Sequence, residues 1–350
     1  MRKVGIVTFY DAKNYGAFLQ CFATQKVLEK KYNASIIKYS NKQISKNYTI
    51  IKTTNFKKFI KSLLFLKQNM FKKKNFENAI KKNIVLSSLS DKYDVVIAGS
   101  DQIWNIELTN GLDKVFSLQY FNEPKKISYA SSIGKESLID NNKEIYIQLI
   151  DGIDCVSVRE ESSREKLIKI TNKDIKVNLD PTLLLRKDEW DKYTKSSEFS
   201  SDYIFSYFVA VTQNNYDMLE YFSNKMNMKV LSYSENPKEK NILKKCYTDG
   251  PFNFITNIKY SNYVFTSSFH GVVFSIIFNK QFVCMLPKEK ANRITNLLDK
   301  LGLNDRIVKN KEDIDKFDFD KKIDYEMVNK KLEQLREDSL CWLFDAIGDE

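Results

Sequence analysis

The chain has 350 residues, with 56 Lys+Arg against 45 Asp+Glu, one His and 43% hydrophobic residues. That hydrophobic share excludes a disordered chain, and 10 Gly with 5 Pro exclude collagen-like or low-complexity sequence. The net charge of +11 sits in one segment: residues 42–82 hold twelve lysines and one acid, Glu77, and the remainder is balanced at 44 basic and 44 acidic residues, which argues against a protein that coats nucleic acid.

A chain of this length suggests two domains, at about 100–200 residues each. Lys3–Phe9 reads as a short buried strand, Gly16–Glu29 as a helix with apolar residues at 18, 19, 22, 23, 27 and 28, and Ser35–Tyr39 as a second strand. This opening is that of a Rossmann-like α/β domain. Strands are expected to recur at Val95–Ala98, Lys126–Ala130 and Cys155–Val158, with a helix at Glu160–Leu167. The polar stretch Arg186–Ser201 marks a break. A second α/β series follows: strand Tyr203–Val209, helix Tyr216–Met226, strand Lys229–Ser232, strand Asn262–Thr266, helix Val272–Phe278 and strand Gln281–Met285. Tyr325–Ile347 reads as a terminal helix. The expected architecture is α/β: two Rossmann-like domains facing across a cleft, GT-B-like, with a C-terminal helix. The expected extents are 1–190, 200–310 and 323–350.

In the basic segment 42–82, Phe56, Phe59, Ile60, Leu63, Leu64, Met70 and Phe71 fall near helical spacing with lysines between. Two readings stand. The apolar side packs on the domain beneath a lysine-coated face, or the segment is a basic amphipathic element touching anionic lipid or a lipid-linked substrate. No nucleic-acid motif accompanies it. No apolar run approaches the roughly 18–20 residues that span a bilayer. Asp11 and Lys13 interrupt the only stretch resembling a signal peptide, so a cytoplasmic protein is expected, peripheral at the inner face of the membrane if 42–82 contacts lipid. The five cysteines (21, 155, 246, 284 and 341) form no CxxC or CxxH spacing, so neither zinc nor a disulfide framework is expected.

The chemistry-bearing residues cluster where α/β folds place ligands, just past strand C-termini. Asn14, Tyr15 and Gly16 open the first helix, where free N–H groups favour an anion. Their pattern is not GxGxxG, so NAD is not indicated. Ser100, Asp101, Gln102 and Asn105 follow Val95–Ala98 and surround Trp104; such polar groups can orient sugar hydroxyls while the ring stacks on a sugar face. Arg159 follows Cys155–Val158, where a guanidinium can fork onto carboxylate or phosphate; a salt bridge to Glu160 or Glu161, or a surface position, is the alternative. Asp180 precedes a proline and suits a turn or a ligand contact. Ser267, Ser268 and His270 lie at a strand-to-helix turn, and any His-dependent chemistry must use His270, the single histidine.

The ordered motifs TFYDAKNYGAFLQ, YDVVIAGSDQIWN, KKISYASSIG (which contains Ser131), SVREESS, LDPTLLL and TSSFHGVVFSIIFNKQFV resemble the polysaccharide pyruvyl transferase family, over most of the chain up to about Arg306. The resemblance implies a GT-B-like fold and transfer of pyruvate from phosphoenolpyruvate to a sugar of a capsule, exopolysaccharide or cell-wall glycan precursor, as a ketal across two hydroxyls. It implies His270 as general acid/base and Arg159 as the clamp for the donor's anionic groups, and Asn14–Gly16, Ser100, Asp101, Gln102, Asn105, Ser131, Asp180, Ser267 and Ser268 are the expected substrate contacts around them. No metal or cofactor is implied. Many members carry Arg and Leu immediately before the His, where this chain has Ser268 and Phe269, as in an SFHG subgroup. The competing readings are a GT-B glycosyltransferase using a nucleotide sugar and a non-catalytic relative.

Overall fold

The structure is a computed structural model that describes residues 1–47, 60, 63–199, 202–209, 211–235, 241–286 and 292–348. Short apolar runs such as Val4–Val7, Val95–Ala98 and Tyr263–Thr266 are buried along their whole length. Strands covered on both faces have that character, and parallel sheets require it. Two such sheets form. The first joins β1 (Lys3–Val7), β2 (Asn33–Ile37), β3 (Leu86–Ser87), β4 (Val95–Ala98), β5 (Lys125–Ser131), β6 (Cys155–Val158) and β7 (Ile175–Val177) in the order β3-β2-β1-β4-β5-β6-β7. The second joins β8 (Tyr203–Tyr207), β9 (Lys229–Ser232), β10 (Ile242–Lys245), β11 (Tyr263–Thr266), β12 (Gln281–Met285) and β13 (Ile307–Val308) in the order β10-β9-β8-β11-β12-β13. Every pairing in both is parallel.

The chain divides into two compact units: residues 1–67, 76–185 and 333–350, and residues 68–75 and 186–332. Each holds one sheet and is Rossmann-like, as expected. Helices α1 (Tyr15–Leu28), α2 (Leu66–Asn83), α3 (Gln213–Met226), α4 (Phe269–Ile277) and α5 (Tyr325–Ile347) matter most below. All of α1 except Lys26 is buried, which explains its three interior polar residues. Gln20 Nε2 donates to Thr8 Oγ1 at 2.9 Å, Thr24 Oγ1 donates to the Gln20 carbonyl at 2.7 Å, and Gln25 Oε1 accepts from the Val85 N–H at 3.2 Å.

Several expectations are corrected. The expected first strand, Ser35–Tyr39 and Tyr203–Val209 each overran by two residues: β1, β2 and β8 stop at Val7, Ile37 and Tyr207. The residues beyond leave the ladder and face the strand ends; Thr8 Oγ1, for example, donates to the Ser100 carbonyl. Helix α4 starts three residues before the expected Val272, because Ser268 caps it. The terminal helix matches Tyr325–Ile347 but is not an element apart, since its residues from Glu333 onward belong to the first unit. There Arg336 Nε donates to the Leu183 carbonyl at 2.7 Å and Ser339 Oγ accepts from the Leu179 N–H at 3.1 Å.

The packing reading of the basic segment also changes. Phe56 and Phe59 lie outside the described residues, and Ile60, Leu63, Leu64, Met70 and Phe71 are all exposed. The buried side of α2 is carried instead by Lys72, Phe76 and Ala79. Phe76 packs on Tyr15 and Phe18, with ring centroids 5.3 and 6.4 Å away. Lys72 Nζ lies 4.0 Å from the centre of the Tyr247 ring, which gives a buried cation an aromatic face.

Candidate active site

In open parallel sheets, ligands bind beyond the strand C-termini where the strand order reverses. The first sheet reverses between β1 and β4, the second between β8 and β11. Asn14–Gly16 and Ser100–Asn105 follow β1 and β4 at the first reversal and Ser267–His270 follow β11 at the second, whereas Ser131, Arg159 and Asp180 lie at the ends of β5, β6 and β7.

In the first unit the loop after β1 runs into α1. Asn14 Oδ1 accepts from the N–H groups of Gly16 (2.9 Å) and Ala17 (3.2 Å), so its carboxamide oxygen caps the helix. Tyr15 is fully buried against Phe76 and belongs to the core rather than to a binding surface. Burial and then the neighbouring Asp11 hold the Tyr10 phenol above its usual range.

Beyond β4, Asp101 has φ +81° and Ala130, at the end of β5, has φ +47°. Two non-glycine residues in the left-handed region at neighbouring strand ends mark local strain, which concentrates at functional sites. The strain is held by pairing: Asp101 bridges to Ser131, its carbonyl accepts from the Ser132 N–H at 2.9 Å, and Ser131 Oγ donates to the carbonyls of Ala98 and Gly99. Asn105 caps the following helical turn, accepting from Glu107 and Leu108 N–H, and its Nδ2 donates to Gln102 Oε1 at 3.3 Å. Trp104 is buried, with Nε1 donating to the Phe116 carbonyl. The expectation that its ring stacks on a sugar is therefore wrong: the ring is core.

Arg159 is the centre of a buried network. Its Nη1 donates to Asp180 Oδ2 at 2.8 Å and to Ser100 Oγ at 3.3 Å, and its Nε donates to Glu160 Oε1 at 3.3 Å. Asp180 Oδ1 accepts from the Thr182 N–H (3.0 Å) and hydroxyl (2.6 Å), and Ser132 Oγ donates to Glu160 Oε1 at 2.7 Å. All three charged side chains are at most 3% exposed. Burial works against the guanidinium's charge, but Glu160, Asp180 and Asp101 outweigh it and hold Arg159 above its ordinary pKa. One guanidinium facing two carboxyl groups is the arrangement of a fixed strut. The adjacent Arg-Glu pair already offered the Arg159–Glu160 salt bridge in the sequence; Ser132, Thr182 and Thr8 were not foreseen as partners.

In the second unit, Ser267 Oγ accepts from the Val209 N–H at 3.1 Å and Thr266 Oγ1 donates to the Tyr207 carbonyl at 2.6 Å, tying the ends of β8 and β11 together. Ser268 caps α4: its Oγ accepts from the Gly271 N–H, and its own N–H donates to Thr266 Oγ1 at 3.0 Å. His270 is thus the second residue of a nine-residue helix, half-buried, with its ring edge-on to Phe269 at 5.2 Å. Arg293 stands over the other ring partner, its guanidinium carbon 6.0 Å from the Phe269 centroid. Sequence reading passed over Arg293, although it is one of only seven arginines. Among the described residues no group of three or more His, Cys, Asp or Glu is gathered as metal ligands.

Gly271 is set by close approach. A Cβ there would lie 2.4 Å from Thr266 Oγ1 and 3.0 Å from its carbons. Gly271→Ala should therefore lower stability by about 1–3 kcal/mol through overpacking, read as a lower urea midpoint. An unchanged midpoint would show that the turn before His270 yields freely.

Two Rossmann-like units, each built on a parallel sheet with polar residues at its strand-order reversal, define an α/β protein. A UDP-N-acetylglucosamine 2-epimerase from Rickettsia bellii shares the fold, with TM-score 0.50, 12% identity and 98% of each chain covered. So does S. aureus MnaA in its UDP co-structure, with TM-score 0.52, 12% identity, all of this chain and 93% of that one. No curated protein matches. The family model for polysaccharide pyruvyl transferase matches residues 14–289, and the chain belongs to that family.

Proposed function

We propose that the protein transfers pyruvate from phosphoenolpyruvate to two hydroxyls of a sugar in a cell-surface glycan precursor, as a cyclic ketal. The observation that carries this reading is the family match over 14–289, which encloses both clusters and the single histidine. His270 protonates carbon 3 of the enol, turning carbon 2 into an oxocarbenium-like electrophile. One sugar hydroxyl adds at carbon 2, the bond from carbon 2 to the phosphate oxygen breaks, and the second hydroxyl closes the ring. Of the two hydroxyl protons released, one replaces that given by His270 and one leaves with phosphate. The sequence is redox-neutral.

Asn14, Asn105 and Asp180 hold the frame, since each oxygen named above is engaged within the protein. Arg159 acts as the strut that sets the strand ends of the first unit. The first N–H groups of α4, at the turn that Ser267 and Ser268 hold, bind the donor's anionic groups. The cation that many members supply two residues before the His is assigned here to Arg293, whose guanidinium carbon lies 6.0 Å from the ring of Phe269, the residue before His270.

The test is release of phosphate from phosphoenolpyruvate, dependent on acceptor and accompanied by the mass gain of a ketal-linked pyruvate. Phosphoenolpyruvate should raise the melting temperature, whereas stabilisation by UDP- or GDP-sugars without any by phosphoenolpyruvate would overturn the reading in favour of glycosyl transfer. Arg293→Gln should raise the KM for phosphoenolpyruvate about tenfold or more, the scale of one charge-assisted hydrogen bond, with the KM for the sugar unchanged. Equal effects on both would remove Arg293 from the donor site.

A further inference from the structure

The outward face of α2 departs from what a packed surface helix needs. A helix lying on a domain turns its apolar stripe inward and its polar residues outward. Here Lys67, Met70, Phe71, Lys74 and Lys81 recur at intervals of three, four and seven residues on the exposed side, and Lys72, Phe76 and Ala79 form the buried one. Met70 is 54% and Phe71 51% exposed. Just before the helix, Leu64 is 77% exposed. Glu77 is the one acid between residues 42 and 82, against twelve lysines. No helix among the described residues is long and apolar enough to cross a membrane.

We propose that this face docks the protein on an anionic lipid bilayer, with Met70, Phe71 and Leu64 entering the boundary between headgroups and acyl chains while Lys67, Lys74, Lys81 and Lys82 meet the headgroup charges. A bilayer is the partner that satisfies both halves of the face at once, since it offers negative charge at its surface and hydrocarbon a few ångströms below. A nucleic acid would neutralise the lysines and leave Met70 and Leu64 in water. A second copy of the chain would set the lysines of one face against those of the other. The inference is independent of which group the enzyme transfers, and its test uses no turnover.

Full-length protein is sedimented with vesicles of phosphatidylglycerol and phosphatidylcholine, and with vesicles of phosphatidylcholine alone. Binding is expected to the mixed vesicles and not to the neutral ones. Lys67→Gln/Lys74→Gln/Lys81→Gln should weaken it about a hundredfold, at about fivefold for each lysine, and the binding should fall with salt. Met70→Ser/Phe71→Ser should weaken it at least tenfold at constant salt. All five residues are on the outward side, so each variant should keep the wild-type urea midpoint. Failure of the wild type to bind mixed vesicles would overturn the proposal. So would full binding by Met70→Ser/Phe71→Ser, which would reduce the face to a charge effect. Self-association of the wild type that the same double substitution removes, without vesicle binding, would assign the face to a second copy instead.

Discussion

His270→Ala is expected to reduce phosphate release from phosphoenolpyruvate and acceptor by about 10²–10⁴-fold, the range of general acid–base catalysis, while the protein stays folded. The chain has no second histidine to substitute for the lost imidazole. The cap that starts α4 is built from Ser268 Oγ, Thr266 Oγ1 and the Gly271 N–H, none of which the substitution touches. Unfolding midpoints should therefore agree with wild type, and phosphoenolpyruvate should still raise the melting temperature, because the N–H groups and Arg293 remain. Added imidazole should restore part of the rate to His270→Ala and none to the wild type. Turnover near wild type in the variant would sink the assignment of the proton donor to His270.

The parts of this molecule that were legible in its sequence are those where one physical demand dominates. β4, β6, β9 and β12 are short apolar runs at sheet positions covered on both faces, and their limits were read to the residue. Helix α5 was equally legible because 23 residues give the 3.6-residue period room to show. The four strands that were missed, β3, β7, β10 and β13, lie nearest the sheet edges and have two to four residues each. Two residues cannot display alternation, and β10, Ile-Leu-Lys-Lys, carries two exposed lysines, as an edge that must resist further pairing would. At the strand ends, residue type showed where polar groups would gather but not what each would bond. Trp104 in a polar neighbourhood suggested a stacking surface, yet the ring fills the core and its N–H finds a carbonyl. The exposed Met70 and Phe71 were the converse case: helical spacing identified a face, and spacing alone could not say which way it turned.

Arg159→Met is expected to destabilise the first unit by about 3–5 kcal/mol, the cost of leaving a buried charge without its partner. The substitution roughly keeps the side chain's volume, so the loss would be electrostatic and not a cavity. What remains is Asp180 and Glu160, both almost wholly buried, with Ser100, Ser132 and Thr182 as their hydrogen-bond donors and no guanidinium between them. A buried carboxyl group that has lost its cation is better tolerated protonated. The folded variant then binds more protons than its unfolded chain, so the deficit against wild type should shrink as pH falls from 7 toward 5 and widen as it rises again. Arg159→Met/Asp180→Asn should recover part of the lost stability at pH 7, since it removes one of the two orphaned charges. Urea unfolding of the three proteins across that pH range separates the strut from a donor clamp. A clamp lying open to substrate would lose phosphoenolpyruvate affinity with little change in midpoint, and that result would return Arg159 to the role its motif suggested. A strut would lose the midpoint first, with the second substitution and the lower pH each restoring part of it.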